Sequence, residues 1–276
     1  MSQSKSKGLY LVAAGLVVAL VMAAIALAQQ TQTNAKIDKL THLAEQQSAL
    51  IAQGAAQGDI QTQIVDQLEA YEKAKLLREY ESVVTGYQNA QDKIESGDRI
   101  YGNPDAEFSV IEFSDFDCPY CKRYHDTPKK VVDGSGGDVN WVGKHFPVHA
   151  SAQPLHKASE CIGQIAGNKN FWAATQLIFD NDGSRGLKPA DLADKMPVDR
   201  EAFAKCMASS EMQAKVDADY KFGQEAGVSG TPATFVIHHK SGEVYTLKGA
   251  VPAGQLEIAI GQLRKKAVAQ QATPSS

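Results

Sequence analysis

Two cysteines end the stretch Phe113-Ser114-Asp115-Phe116-Asp117-Cys118-Pro119-Tyr120-Cys121, which continues an apolar strand pattern at residues 108–113. A proline directly after the first cysteine suits the first position of a helix, where its φ angle is already helical and no backbone N–H is needed. The free N–H groups at a helix start, together with the helix dipole, favour negative charge. We therefore predict a redox dithiol at a helix N-terminus, with Cys118 as the exposed attacking thiolate and Cys121 as the resolving thiol.

The same cysteine spacing also occurs in structural disulfides across a turn and in one half of a zinc site. A zinc site needs a second pair of ligands, and the chain has no second CxxC motif. His125 follows Cys121 by four residues, and we expect it on the helix surface. We predict neither a metal ion nor an organic cofactor.

The composition is that of an ordinary globular protein. The chain has 276 residues, of which 43% are hydrophobic and 22% charged, and its formal net charge is −4. This length allows one domain of medium size together with accessory segments. The lack of a basic surplus argues against nucleic acid as a partner.

A long uncharged segment near the N-terminus indicates the compartment. Residues 1–7 contain two lysines and precede the uncharged run Gly8 to Ala28, which as a helix would cover about 30 Å and cross a bilayer. Because positive charges stay on the cytoplasmic side, we predict a single-pass inner-membrane anchor at residues 8–28 with the C-terminal domain in the periplasm. Ala26-Leu27-Ala28 also fits a signal-peptidase site, and cleavage there would give a soluble periplasmic protein.

Residues 29–95 are predicted to form a helical stalk. A short, interrupted heptad pattern ends at Gly54-Ala55-Ala56-Gln57-Gly58, and a second helix is expected from Asp59 to about Gln91. Two interpretations remain open: a spacer that holds the domain away from the membrane, and a coiled-coil oligomerisation element.

A globular domain is predicted for residues 96–270, with a tail at 271–276. Tyr101-Gly102-Asn103-Pro104-Asp105 is expected to be its entry loop, and the CxxC helix is expected to reach Val132. About four inserted helices are expected at residues 151–226. Apolar patterns predict four strands and a last helix, which lie at residues 108–113, 139–144, 233–238, 244–247 and 253–266.

The order of these elements resembles the thioredoxin fold, and the sequence of its loops resembles the DsbA-like family of thiol-disulfide oxidoreductases. The resemblance covers residues 98–266 and implies an α/β protein, a thioredoxin fold with an inserted helical domain, here preceded by an N-terminal transmembrane helix and a helical stalk. It is carried by Gly102-Asn103-Pro104-Asp105-Ala106, by Glu112 to Cys121, by His145-Phe146-Pro147, by Phe171-Trp172 and by Gly227-Val228-Ser229-Gly230-Thr231-Pro232.

The resemblance also implies roles for three further residues. Pro232 is similar to the family's cis-proline opposite the CxxC motif, and the backbone of Thr231 would then pair with an extended substrate segment. Glu112 stands where thioredoxin-like proteins carry a buried acid beneath the resolving cysteine. A buried carboxyl there would have a raised pKa and could relay the Cys121 proton. The alternative is an end-of-strand glutamate that reaches solvent.

Two cysteines lie outside the CxxC motif, at Cys161 and Cys206. In an oxidising compartment we expect them to form a structural disulfide, and some relatives in the family are similar in having one in the helical part. Two buried free cysteines and a second active redox pair are the alternatives.

These patterns together predict an extracytoplasmic thiol-disulfide oxidoreductase, a dithiol oxidase that forms disulfides in exported proteins. A membrane redox partner would reoxidise the dithiol. The Pro119-Tyr120 pair differs from the Pro-His pair of the strongest oxidants in the family and brings no positive charge beside Cys118, which indicates a less oxidising disulfide.

Other functions fit the same sequence. One is a disulfide isomerase or reductase with an oligomerising stalk, which Thr231 and the possible coiled coil favour. The other class is non-enzymatic: a protein that binds Cu(I) through the dithiol, or an assembly protein.

Overall fold

The computed structural model describes residues 57–92 and 97–272, together with helical residues at 41–43, 45–46 and 48–49. The predicted cytoplasmic residues 1–7 and membrane helix 8–28 lie outside these described residues. Within the part of the chain that is described, no helix has both the length and the apolar character needed to span a bilayer.

The chain divides into two compact units, Met1–Glu72 and Lys73–Ser276. Helix α1, Gln57–Thr85, contributes residues to both units. In the described part of the first unit it exposes the apolar side chains of Val65, Leu68 and Tyr71.

A five-stranded mixed sheet forms the centre of the second unit. The strands are β1 Arg99–Gly102, β2 Phe108–Ser114, β3 Val139–His145, β4 Ala233–His238 and β5 Val244–Lys248. Their spatial order is β1-β3-β2-β4-β5, with β2 and β3 parallel and the other neighbours antiparallel. The parallel pair follows the predicted β-α-β order, since the CxxC helix lies between β2 and β3 in the chain.

Helices cover both faces of this sheet. Side chains alternate along β2, so Phe108, Val110 and Glu112 point to one face and Phe113 to the other. The first face packs in one apolar cluster with helices α3, Asp126–Gly134, and α9, Ala253–Ala272. Phe113 packs against Phe222 of α8, Glu211–Glu225, at a ring separation of 5.8 Å.

The CxxC helix is interrupted where the sequence predicted one helix to Val132. Helix α2 spans Pro119–Tyr124, and α3 begins at Asp126. Pro128 explains the break, because it has no N–H to donate to the Tyr124 carbonyl and its ring would clash with that carbonyl. His125 therefore lies at a bend between two helices.

Strand β1 replaces the loop that was predicted at Tyr101 and Gly102. It has four residues and pairs antiparallel with β3, from Arg99 opposite Gly143 to Gly102 opposite Asn140. Four residues are too few to show the alternation that identifies a strand in a sequence, so tertiary pairing had to reveal it.

The predicted helical insertion between β3 and β4 contains five α-helices in the described chain. Cys161 of α4, Gln153–Ala166, and Cys206 of α7, Arg200–Ala208, form a disulfide with Cα atoms 5.8 Å apart. The 45-residue separation of these cysteines corresponds to about 4 kcal/mol of stabilisation on the chain-entropy model. The helices are α4 Gln153–Ala166, α5 Asn168–Asp180, α6 Pro189–Asp194, α7 Arg200–Ala208 and α8.

The globular unit also includes residues 73–92, which differs from the predicted division between a stalk at 29–95 and a domain at 96–270. Tyr87 is buried and its ring stacks on Trp172 at 6.3 Å. Ala90 is buried in the same apolar cluster, and the Tyr80 hydroxyl donates a hydrogen bond to Asn170. The segment belongs to the globular unit because Tyr87 and Ala90 pack into the apolar cluster that contains Trp172.

We expect Tyr87→Ala to lower the free energy of unfolding by about 3–5 kcal/mol, because it removes a large ring from a packed core. Tyr87 is 2% exposed, whereas Tyr71 of α1 is 54% exposed, so Tyr71→Ala is the matched control. The control should change the free energy of unfolding by less than about 0.5 kcal/mol. Urea unfolding followed by tryptophan fluorescence measures both, and equally small losses would show that residues 73–92 are not part of the folding unit.

Candidate active site

The two cysteines of the CxxC motif lie at the start of α2 as free thiols. Cys118 occupies the cap position before Pro119, with extended backbone angles of φ −82° and ψ 119°. The prediction that Cys118 is exposed was wrong: its exposed fraction is 5%, and that of Cys121 is 0%. Cys118 is covered because the loop before β4 lies over it, with the Thr231 carbonyl oxygen 3.5 Å from its sulfur.

The pKa values of the two thiols are shifted in opposite directions. A hydrogen bond from the Cys121 thiol, helped by backbone N–H groups of Cys121 and Tyr120, outweighs burial and lowers the pKa of Cys118 to about 5. Burial, the hydrogen bond to Cys118 and the nearby Glu112 carboxyl raise the pKa of Cys121 far above its ordinary value. Cys118 can therefore react as a thiolate at neutral pH while Cys121 stays protonated, which is the asymmetry that the predicted roles require.

The loop opposite the dithiol contains the predicted Thr231 and Pro232. The peptide bond between them is cis. The Thr231 carbonyl accepts a hydrogen bond from the Cys118 thiol, so the structure brings this residue together with the nucleophile.

Glu112 lies in the middle of β2 on the face that carries the CxxC helix. It is 1% exposed, so the structure has it as a buried acid and not as a glutamate that reaches solvent. Burial raises its pKa to about 8, and the polar groups of Ser114 and Trp141 offset part of that rise. Within the described residues, neither carboxyl oxygen has a hydrogen-bond partner.

A small cavity adjoins Glu112. Its volume is about 20 Å³, which is room for about one water molecule. Ser114, Trp141 and Trp172 are among the residues that line it. Their hydroxyl and indole N–H groups too are buried without partners in the part of the chain that the structure describes. Hydrogen-bond donors therefore lie beside the Glu112 carboxyl.

Two aspartates that the sequence analysis gave no role fix the loop before Cys118. Asp115 accepts hydrogen bonds from the backbone N–H groups of Asp117 and His149, each at 2.8 Å. Asp117 accepts from the Ser151 hydroxyl and from the backbone and hydroxyl of Ser184, at 2.5 to 2.7 Å. Although burial raises the pKa of Asp117, these hydrogen bonds outweigh it, so the pKa lies below its ordinary value.

His125 does not lie on the helix surface, contrary to the prediction. It is buried, and its Nε2 is 2.8 Å from the Tyr87 hydroxyl. Burial and the nearby Lys129 lower its pKa to about 3, so this histidine is neutral. The prediction failed because it treated α2 and α3 as one helix and left residues 73–92 out of the domain.

The chain is similar to known proteins over its second unit. Residues 94–251 match the sequence profile of a family described as Thioredoxin. The Na(+)/H(+) antiporter NhaA 1 of Salinispora arenicola is 29% identical over 163 residues, which is 56% of this chain and 24% of the antiporter. The chain thus spans about a quarter of the length of the curated relatives it matches. That similarity concerns one part of a longer protein and not its antiporter activity.

Two crystal structures share the fold. Pseudomonas aeruginosa DsbA2 is 29% identical with a TM-score of 0.53, and the alignment covers 60% of this chain and 93% of that chain. A thioredoxin-like oxidoreductase from Silicibacter pomeroyi DSS-3 is 23% identical with a TM-score of 0.53, covering 62% and 94%. These similarities confirm the predicted thioredoxin-like α/β fold, with its mixed sheet and surrounding helices.

The acidity of Cys118 can be measured on the reduced protein from the ultraviolet absorbance of its thiolate. We expect a midpoint near pH 5, because the Cys121 thiol donates to the thiolate. Since this pKa is lower in the folded than in the unfolded chain, the reduced protein should lose stability as the pH falls through that midpoint.

The variant Cys121→Ala removes the donated hydrogen bond and should move the midpoint towards the ordinary thiol value of about 8.5. Cys118→Ala is the control and should show no thiolate absorbance near pH 5. A midpoint that stays near 5 in Cys121→Ala would assign the acidity to the helix start alone.

Proposed function

This chain belongs to the thioredoxin family, among its DsbA-like thiol-disulfide oxidoreductases, and we propose that it is a dithiol oxidase that forms disulfides in exported proteins. The observation that carries this proposal is the position of Cys118 at the start of α2, beneath the Thr231 carbonyl, where its pKa is lowered. A stabilised thiolate makes the reduced dithiol the favoured state and its disulfide a stronger oxidant. A pKa of about 5 lies between the values of about 7 for thioredoxin and about 3.5 for DsbA, so we expect an oxidant of intermediate strength.

The proposed reaction is two thiol-disulfide exchanges. A substrate thiolate attacks the Cys118 sulfur of the Cys118–Cys121 disulfide, and Cys121 leaves as a thiolate and takes up a proton. A second substrate thiolate then attacks the substrate sulfur of the mixed disulfide, and Cys118 leaves as the thiolate. The substrate gives up two electrons and the dithiol gains them. The Thr231 backbone would hold an extended substrate segment over Cys118, and its carbonyl oxygen lies 3.5 Å from the Cys118 sulfur.

Glu112 is proposed to supply and accept the Cys121 proton. A carboxyl with a pKa of about 8 is protonated at neutral pH and can give its proton to the leaving Cys121 thiolate. The Glu112 carboxyl also raises the pKa of Cys121, so the two groups interact electrostatically.

The place of action and the partners are also proposals. The charge pattern around residues 8–28 favours an inner-membrane anchor, or a cleaved signal, with the catalytic unit in the periplasm. Exported proteins with cysteine thiols would be the substrates, and a membrane redox protein would reoxidise the dithiol. The disulfide between Cys161 and Cys206 supports an oxidising compartment.

A disulfide isomerase is the second candidate. The exposed apolar side chains of Val65, Leu68 and Tyr71 on α1 favour contact with a second copy of the chain, as an oligomerising stalk would make. An isomerase acts through its reduced dithiol, so reactivation of a substrate protein with scrambled disulfides by the reduced chain would favour this second candidate.

The reduction potential of the Cys118–Cys121 couple should lie between about −180 and −120 mV when it is equilibrated with glutathione. The oxidised protein should also form disulfides in a reduced, unfolded substrate protein, and Cys118→Ala should not. A potential near about −270 mV would overturn the oxidase proposal in favour of a reductase.

Replacing Glu112 with glutamine keeps the shape of the side chain and removes its titration. We expect Glu112→Gln to slow reduction of the Cys118–Cys121 disulfide by a substrate thiol about 100-fold, the lower end of what general acid catalysis supplies. Glu257→Gln, on an exposed part of α9, is the control and should leave the rate unchanged. Stopped-flow kinetics measure both, and equal rates would exclude the proton relay.

A further inference from the structure

Two buried histidines connect the loop before Cys118 to a buried ion pair. The Phe116 backbone nitrogen is 3.3 Å from His156 Nε2, and His156 Nδ1 is 2.7 Å from His145 Nδ1. His145 Nε2 in turn is 2.8 Å from Glu160 Oε1. We call this series of three hydrogen bonds, from Phe116 through His156 and His145 to Glu160, the histidine bridge.

The direction of every hydrogen bond in the histidine bridge follows from its first donor. A backbone N–H can only donate, so His156 Nε2 is the unprotonated acceptor and the proton of the neutral ring is on Nδ1. His156 then donates to His145 Nδ1, and His145 must carry its own proton on Nε2 and donate to Glu160. One arrangement of protons therefore satisfies all three bonds.

Charges at the far end keep Glu160 an acceptor. Arg99 donates to Glu160 Oε2 from Nη2 at 2.6 Å and from Nε at 3.0 Å, and the Lys215 amine lies 3.4 Å from the same oxygen. Burial raises the pKa of Glu160, but the His145 hydrogen bond and the Arg99 charge outweigh it and leave the pKa low. Burial lowers the pKa of His156 far below its ordinary value, so this ring stays neutral and can accept from Phe116.

His156 also holds Phe116 by its ring. The two rings stack at 4.1 Å with an interplanar angle of 15°. Phe116 lies inside the turn that Cys118 closes, in which the Cys118 backbone N–H donates to the Asp115 carbonyl at 3.1 Å. The position of Cys118 therefore depends on a loop whose middle residue is fixed by His156 through both its backbone and its side chain.

We propose that His156, oriented by His145 and Glu160, is a positioning residue that sets the acidity of Cys118. It holds the Phe116 turn so that Cys118 lies within reach of the Cys121 thiol and the N–H groups at the start of α2. This role rests on the proposed function only in making the dithiol the reactive centre. It does not depend on the direction in which electrons flow.

Two substitutions at His156 test the proposal in the full reduced chain. His156→Leu removes both hydrogen bonds of the ring, and we expect it to raise the Cys118 pKa by about one unit, a tenfold loss of thiolate at a pH below both values. His156→Gln can accept from Phe116 and donate to His145, so its Cys118 pKa should stay within about 0.3 units of the wild-type value. Thiolate absorbance against pH reads out each variant.

His238→Leu is the matched control for lost stability. His238 is equally buried and hydrogen-bonded, but it lies opposite Phe108, at the end of β2 away from the dithiol. The His238→Leu substitution should destabilise the protein without changing the Cys118 pKa. An unchanged pKa in His156→Leu, or an equal shift in His238→Leu, would overturn the proposal.

A measurement on the unaltered protein covers the case in which His156→Leu does not fold. Nitrogen NMR of the histidine rings should show His156 as the Nδ1–H tautomer and His145 as the Nε2–H tautomer. An Nε2–H tautomer at His156 would exclude the Phe116 hydrogen bond and overturn the proposal. A reductase-like potential would instead contradict the proposed oxidase function and leave this result unaffected.

Discussion

The placement of Cys118 and Cys121 at the start of α2 is the constraint on which the rest of the site depends. It separates two chemically identical groups into an acidic thiol with a pKa of about 5 and a thiol whose pKa is raised far above its ordinary value. This separation needs the two cysteines to be held one turn apart at the start of a six-residue helix. So short a helix is not stable by itself. The strand, the loop and the bend that flank it must therefore fix its position.

Those flanking parts are fixed mainly by buried polar groups that have found partners. Asp115 and Asp117 accept hydrogen bonds from backbone and hydroxyl groups before the helix, and His125 contacts Tyr87 after it. A buried polar group without a partner costs free energy, so each satisfied group allows little freedom to its neighbours. Glu112 is the contrasting case, because its carboxyl, which has no hydrogen-bond partner among the described residues, has a raised pKa suited to proton transfer. Asp115 and Asp117 thus fix the loop, whereas the Glu112 carboxyl is the one suited to proton transfer.

Local patterns in the sequence were sufficient for the strands β2 to β5 and for the start of the CxxC helix, because each has its own periodicity or a proline at a telling position. They were insufficient for β1, which is recognisable only by its pairing with β3, and for the bend at His125. The candidate site divides in the same way. Cys118, Cys121, Glu112 and the loop at Thr231 follow from one motif and a resemblance. Asp117 and His156 each have a partner 40 or more residues away, as Ser184 is 67 residues from Asp117 and Phe116 is 40 from His156.

The burial of Tyr87 shows that the folded unit extends beyond the region that matches the family profile. The family profile begins at residue 94 and ends at 251, so it leaves out Tyr87 and Ala90 at one end and Leu256, Ala259 and Leu263 of α9 at the other. These five side chains are buried in one apolar cluster with Phe108 and Trp141 of the sheet. The region shared with the family is therefore smaller than the unit that folds. A fragment of residues 94–251 would expose apolar side chains on the face of the sheet that supports the dithiol.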